Sequence, residues 1–228
     1  MNRFLPLLGL LTVCATLSCT TDSSVQLPAY LMLKEALRSG EKEAIREVLG
    51  NSTLDEFKVE GIGLTAYAVA IGDSGMIALL GTAGANMNYV DPERGTTPLH
   101  FAVALRSIQS VKALLAAGAD ANVTDSNDGR TPMHVAAQID SLPMIELLAL
   151  SGGLHSIKDR AGMTPLHVAS ERLSACAVLG LLSFNADRLV RDGSGKTPYQ
   201  LVPKGANSHK KELANLVKSL LVASTKSN

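Results

Sequence analysis

The chain has 228 residues, 21 basic and 21 acidic side chains, and only 4% aromatic residues, with no tryptophan. This balanced charge gives no indication of a nucleic-acid partner, because proteins that bind nucleic acids carry clustered positive charge. The length would suit one or two globular domains, but an internal repetition instead predicts one elongated domain.

Residues 1–18 are predicted to be a secretory signal peptide. Arg3 is the only charged residue before Asp22, and the apolar run at residues 4–13 is shorter than the roughly 20 residues that a membrane-spanning helix needs. A basic start, a short apolar core and small residues after it are typical of an export signal. The alternative interpretation is a retained N-terminal anchor helix.

The end of this segment resembles a bacterial lipobox, in which a small residue precedes a cysteine that becomes diacylated. Ser18 precedes Cys19, although Thr16 stands where the motif usually has leucine. We expect a lipid anchor at Cys19, with ordinary cleavage near Ala15 or Ser18 as the alternative, and a polar tether at residues 19–26. The predicted location is therefore the periplasm or a membrane surface of a bacterial cell envelope.

The cysteines predict no disulfide bond. Cys14 would leave with the signal peptide and Cys19 would carry lipid, so Cys176 remains alone in the array. Because Cys176 falls inside a predicted helix, we expect it to be a small buried core residue.

Residues 27–62 are predicted to form an N-terminal capping unit of two helices. Pro28 can open the first helix, Gly40 ends it, and residues 41–49 form the second helix with its apolar side facing inward. A terminal unit needs a polar outer face to remain soluble. The charged residues predicted to form that solvated face are Lys34, Glu35, Arg38, Glu41, Lys42, Glu43, Arg46 and Glu47.

Residues 63–94 are predicted to form a degenerate repeat. Residues 65–70 stand where later units have Thr-Pro-Leu-His, and they lack the proline and the histidine. Thr65 lies closer to Thr97 than the later motif threonines lie to one another, so we expect a helix or an inter-helix turn to be shortened.

The following units repeat a Gly-x-Thr-Pro motif at Thr97, Thr131, Thr164 and Thr197, a period of about 33 residues that is typical of a repeat array. The threonine is expected to cap a helix that the proline opens, and a second apolar helix follows a short polar break. Such a pair cannot bury its own apolar faces, so the period predicts stacked repeats. The predicted units are repeats at residues 95–128, 129–161 and 162–194, a C-terminal capping repeat at 195–223, and a tail at 224–228. The predicted structural residues are Thr97, Pro98, His100, Thr131, Pro132, His134, Thr164, Pro165 and His167.

The repeated segment resembles the ankyrin repeat. The family pattern Gly-x-Thr-Pro-Leu-His-x-Ala-Ala, followed by a Leu-Leu helix and Gly-Ala-Asp-x-Asn, is present at residues 95–122. The resemblance implies an all-α solenoid of stacked helix-turn-helix repeats with short β-turn tips. It also implies that the repeated histidine is a structural hydrogen-bonding residue, and that a protein partner binds to the tips and to the concave face of the first helices.

We therefore predict a monomeric, non-enzymatic protein–protein interaction module of the bacterial envelope, which binds a folded partner without a cofactor or metal. The alternative is an inhibitor or immunity protein that covers the active site of an envelope enzyme or toxin. Binding energy at interfaces is concentrated in aromatic and arginine side chains. The candidate contact residues are Tyr89, Arg94, Arg106, Arg130, Gln138, Arg160 and Arg172.

Short matches to catalytic motifs are explained by the repeat. Gly195 and Lys196 resemble the end of a phosphate loop, but Val190 stands where that loop needs glycine. Ser74 follows Gly-Asp as in a serine-protease nucleophile loop, yet it falls at an inter-helix turn. The repeated histidines should lie roughly 10 Å apart along the stack, too far to share one metal ion.

Overall fold

The computed structural model describes residues 23–50, 52–59, 61–203 and 208–223. In these ranges the chain forms twelve helices and one two-stranded antiparallel hairpin, so the predicted all-α solenoid is confirmed. Among the described helices, none combines the length and the apolar character needed to cross a membrane. The predicted signal peptide and Cys19 lie outside the described residues.

The elements follow one another as helix pairs. An N-terminal pair and a hairpin precede four helix-turn-helix units, and a last pair closes the array. The bounds are α1 Ser23–Ser39, α2 Lys42–Leu49, β1 Lys58–Val59, β2 Ile62–Gly63, α3 Leu64–Ala70, α4 Ser74–Thr82, α5 Pro98–Ala104, α6 Ile108–Ala116, α7 Pro132–Gln138, α8 Leu142–Leu150, α9 Pro165–Arg172, α10 Ala175–Ser183, α11 Pro198–Leu201 and α12 Ser208–Ala223.

The first helices of the units form one layer, in which α3, α5, α7, α9 and α11 each pack on the next. The second helices lie behind them, with α1 packed on α4 and α12 packed on α10. Small residues allow the close approach, since Ala102, Ala136 and Ala169 are completely buried in the first helices. Leu114 and Leu148 fill the equivalent positions of the second helices. The result is one continuous core along the stack.

The first helices begin as the motif predicts. The Thr97 side chain accepts a hydrogen bond from the His100 N–H, and the proline after the threonine is the first helical residue. Thr131 and Thr164 form capping boxes with the histidine three residues later, and Thr197 forms one with Gln200.

The degenerate repeat is not shortened, which corrects the expectation from its sequence. Gly63 is the N-cap of α3, and it precedes the N-cap Thr97 by the same interval that separates Thr97 from Thr131. The second helices show the same interval, because Asp73, the N-cap of α4, precedes Ser107, the N-cap of α6, by it as well. The prediction was wrong because it aligned Thr65 with Thr97, whereas Thr65 is the second residue of α3.

The N-terminal pair also differs from its prediction. Helix α1 begins at Ser23, before Pro28, so the last part of the predicted tether is helical. Helix α2 has no fully buried residue, although Ile45, Val48 and Leu49 pack against the core. The hairpin, which was not predicted, contacts both α1 and α3.

Cys176 is exposed, contrary to the prediction of a buried core residue. It is the second residue of α10, whose inward positions are taken by Ala177, Val178 and Leu181, all completely buried. Residue 176 falls outside that apolar face, so its side chain does not enter the core.

Candidate partner-binding surface

Each tip before a capping threonine is closed by an aspartate. Asp125 Oδ1 accepts hydrogen bonds from the N–H groups of Asp128 at 2.8 Å and Gly129 at 2.9 Å. Asp91, Asp159 and Asp192 bind the backbone of their own tips in the same way. These aspartates were not among the predicted residues, although their recurrence a few positions before each motif threonine is a signal that identifies them.

Successive tips are hydrogen-bonded to one another through the backbone. At one of these contacts Gly162 has a φ of +74°, and a Cβ there would lie 2.5 Å from the Gly193 nitrogen, so only glycine permits the approach. We call residues 89–94, 123–130, 157–163 and 189–196 the tip strip. Two bonds join successive tips, from the N–H of Arg160 to the Asp128 oxygen at 2.8 Å and from the N–H of Gly193 to the Ala161 oxygen at 2.9 Å. The N–H of Ser126 binds the oxygen of Gly95, the residue directly after the first tip, at 2.7 Å.

The repeated histidines connect the first helices to the tip strip. His134 Nδ1 accepts a hydrogen bond from the Thr131 N–H at 3.1 Å, and its Nε2 lies 3.0 Å from the Met163 carbonyl oxygen in the next repeat. Because a carbonyl can only accept, Nε2 carries a proton, and because Nδ1 accepts the Thr131 N–H it carries none, so the ring is neutral. The equivalent Nε2 bonds join His100 to the Arg130 oxygen at 2.7 Å and His167 to the Lys196 oxygen at 3.1 Å.

Burial lowers the pKa of His100, His134 and His167, because the charged ring would lose its hydration. The bonds from Nε2 to backbone carbonyls oppose this shift but do not cancel it. Within the described part of the chain, no group of three or more histidine, cysteine, aspartate or glutamate residues is placed to hold a metal ion.

The family model for ankyrin repeats, which contains three copies, matches residues 32–125, 65–159 and 107–192. The chain belongs to the ankyrin repeat family. Ankyrin repeats are protein–protein interaction modules and are typically not enzymes. No curated protein matches this ankyrin repeat chain.

Two of the predicted contact residues lie together at the N-terminal end of the tip strip. Tyr89 and Arg94 line a small pocket with Phe101, and the Arg94 guanidinium carbon is 5.7 Å from the centre of the Phe101 ring. Ala66 also lines this pocket, and it occupies the position in its repeat that His100 occupies in the next. The pocket therefore occurs where this ankyrin repeat lacks its histidine ring.

Arg130 and Gln138 are also neighbours, but Arg130 is held by its own repeat array. Arg130 Nη1 lies 3.3 Å from Gln138 Oε1, and Arg130 Nε lies 3.5 Å from Asp159 Oδ2. The Arg130 side chain is only 21% exposed. A partner would have to compete with Asp159 for this guanidinium.

The remaining predicted contact residues are spread over both ends of the first helices. Arg160, on a tip, donates to the Asn127 carbonyl of the preceding tip. Arg106 has a φ of +57° and donates to the Ile139 carbonyl at the next inter-helix turn, and Arg172 is exposed at the end of α9. The seven residues thus do not form one cluster, because Arg106 and Arg172 lie at the end of the first helices that is opposite to the tips.

Proposed function

We propose that this chain is an exported ankyrin adaptor that holds a folded partner protein on the tip strip and the adjacent side of the first helices. The observation that carries the proposal is the hydrogen bonding between successive tips. A surface whose backbone is already fixed loses little conformational entropy on binding, so more of the contact energy becomes affinity.

For the location, we propose a bacterial envelope with a lipid anchor at Cys19. The support is the sequence around Ser18 and Cys19 that follows the apolar run. Helix α1 begins at Ser23, so at most about 14 Å of extended chain would separate the acylated residue from this helix. An anchor at Cys19 would therefore hold the repeat array close to the membrane surface.

Affinity capture tests the proposed function. The tagged chain lacking residues 1–18 should capture a stoichiometric partner from the native envelope. Tyr89→Ala with Arg94→Ala should weaken that capture, whereas Lys112→Ala with Glu146→Ala, exposed on α6 and α8, should not. Capture that no tip substitution affects would contradict the proposal. A single partner that is an inhibited enzyme would favour the inhibitor function instead.

Membrane fractionation tests the anchor. Cys19→Ala should move the protein from the membrane fraction to the soluble fraction, because acyl chains would be its attachment. Cys176→Ala is the matched control, since Cys176 is an exposed thiol in α10 and its removal should leave the fractionation unchanged. Continued membrane attachment of the Cys19→Ala variant would contradict the lipid anchor.

A further inference from the structure

The C-terminal half of the tip strip, residues 157–163 and 189–196, carries positively charged side chains that form no ion pair with a described carboxylate. We call Lys158, Arg160, Arg191 and Lys196 the basic tip patch; all four are exposed. The ion pairs among the described residues involve only Lys34, Lys58 and Arg130 as cations. The patch therefore presents four cationic side chains to a partner.

The polar contacts made by the patch are with backbone carbonyls. Lys158 Nζ donates to the Arg191 oxygen at 2.8 Å, and Arg191 Nη1 donates to the Gly195 oxygen at 2.7 Å. Arg160 donates to the Asn127 oxygen. These bonds orient the cations without neutralising them, and each cation retains further N–H donors for a ligand.

The acidic residues of the same tips are already engaged. Asp159 is buried and faces Arg130, so this carboxylate balances a different cation. Asp192 Oδ1 accepts hydrogen bonds from the N–H groups of Ser194 and Lys196, each at 2.8 Å. Among the described residues of these two tips, Asp192 is thus the one carboxylate without an ion pair, and its Oδ1 already binds the backbone of its own tip.

The N-terminal half of the tip strip is different. Lys58 of the hairpin pairs with the exposed Glu93, and Arg94 lies over the Phe101 ring. Charge of both signs is present there, so the excess of positive charge is confined to the last tips.

We propose, on the basis of the proposed function, that the basic tip patch binds an acidic segment of the partner protein. Lys158 and Arg160 lie on one tip, Arg191 and Lys196 on the next, and the backbones of these tips are bonded at Gly193 and Ala161. An extended segment with several aspartate or glutamate residues can contact both tips at once. Arginine binds carboxylates through two parallel hydrogen bonds, which favours carboxylates of defined position.

A protein segment fits these observations better than an anionic membrane. Lys158 and Arg191 are oriented by bonds to backbone carbonyls of the tips rather than by a flexible chain, and ankyrin repeats are protein–protein interaction modules. Recognition of lipid headgroups is instead typical of clusters of basic residues beside a membrane-embedded helix or on an amphipathic helix.

A labelled peptide of alternating glutamate and alanine provides the probe. Its binding to the purified chain, measured by fluorescence anisotropy, should weaken as the salt concentration rises. Replacing Lys158 and Arg191 by glutamate should weaken binding by at least about tenfold, because contacts to both tips change sign. The matched control replaces Lys42 and Lys112, exposed on α2 and α6, by glutamate as well, so that the net charge changes equally. This control should change the affinity for the peptide by less than about twofold.

The inference would be overturned if the peptide did not bind, or if the Lys158/Arg191 variant and the Lys42/Lys112 control lost binding equally. It would also be overturned if the patch were needed only for binding to vesicles that contain anionic lipids, measured in the same way. A neutral variant, Lys158→Gln with Arg191→Gln, guards against misfolding and should lose binding while keeping the circular dichroism spectrum of the parent chain. The proposed function is tested separately by the capture experiment. Capture that survives the charge reversal would refute the acidic segment but leave the adaptor function standing.

Discussion

The first ankyrin repeat, residues 63–94, and the three repeats at residues 95–194 reach the same fold with different polar contacts. The later repeats use a threonine cap and a histidine that binds the next tip. The first repeat has Gly63 and Ala66 at those positions, yet its helices keep the interval seen between the later units. The apolar positions therefore define the repeat, and the polar bonds can be placed elsewhere.

In the first repeat the corresponding polar bonds are made by Asp73, at the start of the second helix, α4. Asp73 Oδ1 accepts the Met76 N–H at 3.0 Å, while Oδ2 accepts bonds from the Lys34 ammonium and, at 3.2 Å, from the Tyr30 hydroxyl of α1. Burial tends to raise the pKa of Asp73, but the bonds from Lys34, Met76 and Tyr30 outweigh it and hold the pKa below its usual value. Burial, together with the negative charge of Asp73, raises the pKa of Tyr30. Lys34, predicted as part of a solvated face, therefore connects α1 to α4.

The largest expected effect comes from the three histidines of the later repeats, which the first repeat lacks, and it is a dependence of stability on pH. The folded pKa of the three histidines lies below the value of about 6.5 expected for the unfolded chain, so the unfolded chain takes up protons first. The contribution of the three histidines to the free energy of unfolding should be fully present above about pH 6.5. It should fall as the pH drops toward the folded pKa, by up to about 1.4 kcal/mol per pH unit for each histidine. Urea midpoints measured across this range test it, and a flat profile would contradict it.

Removing one histidine should have the next largest effect. His134→Ala should lower the free energy of unfolding by about 1–3 kcal/mol, because the Thr131 N–H and the Met163 carbonyl lose a buried partner. His134→Gln should cost less, since Gln200 accepts the Thr197 N–H at 2.9 Å in the last unit. Equal losses in the two variants, measured by urea unfolding, would show that the cap contributes nothing.

The Asp73 cluster should contribute somewhat less. Asp73→Ala removes an N-cap and the bonds to α1, so we expect a loss of about 1–2 kcal/mol. The matched change in a later repeat is Ser107→Ala, which removes a cap bond to Ser110 and should cost about 1 kcal/mol or less. Hydrogen exchange should show faster opening of α1 only in the Asp73 variant. Unchanged exchange in α1 would mean that the cluster does not hold this helix.

The smallest effect should come from making the first repeat more like the others. Gly63 has a φ of −55° and open space around its Cβ position, so Gly63→Thr can be accommodated. The hydroxyl can then cap α3, and the unfolded chain loses conformational freedom, so stability should rise by a few tenths to about 1 kcal/mol. Thermal unfolding measures this change. A lower midpoint would show that glycine is required at this N-cap.

The sequence predicted the repeat architecture because Thr-Pro recurs at a fixed period and caps its helix locally, within one helical turn. It predicted the first repeat less well because Thr65 looks like a capping residue. The true register is kept by the apolar Ala68 and Leu80, which are completely buried and correspond to Ala102 and Leu114 of the next repeat. The exposure of Cys176 depended on which residues of α10 face the stack.

The positions of the tips could be predicted from the sequence, but the contacts that their side chains make could not. The tip positions follow from the period, yet the engagement of Arg130 by Asp159 depends on the distance between neighbouring tips. The strands β1 and β2 have two residues each, which is too short to leave a recognisable sequence pattern. Contacts between repeats are set by three-dimensional stacking, which no single repeat encodes.

The contact between Gly162 and Gly193 also fixes how closely the last two tips approach each other. A Cβ on Gly193 would lie 2.6 Å from the Ala161 oxygen, so any side chain there would wedge the last two tips apart. In a solenoid, the small rotation from each repeat to the next accumulates into the overall curvature. A side chain at Gly162 or Gly193 would therefore change the rotation between the last two tips, and a rigid partner that contacts both tips would be sensitive to this change.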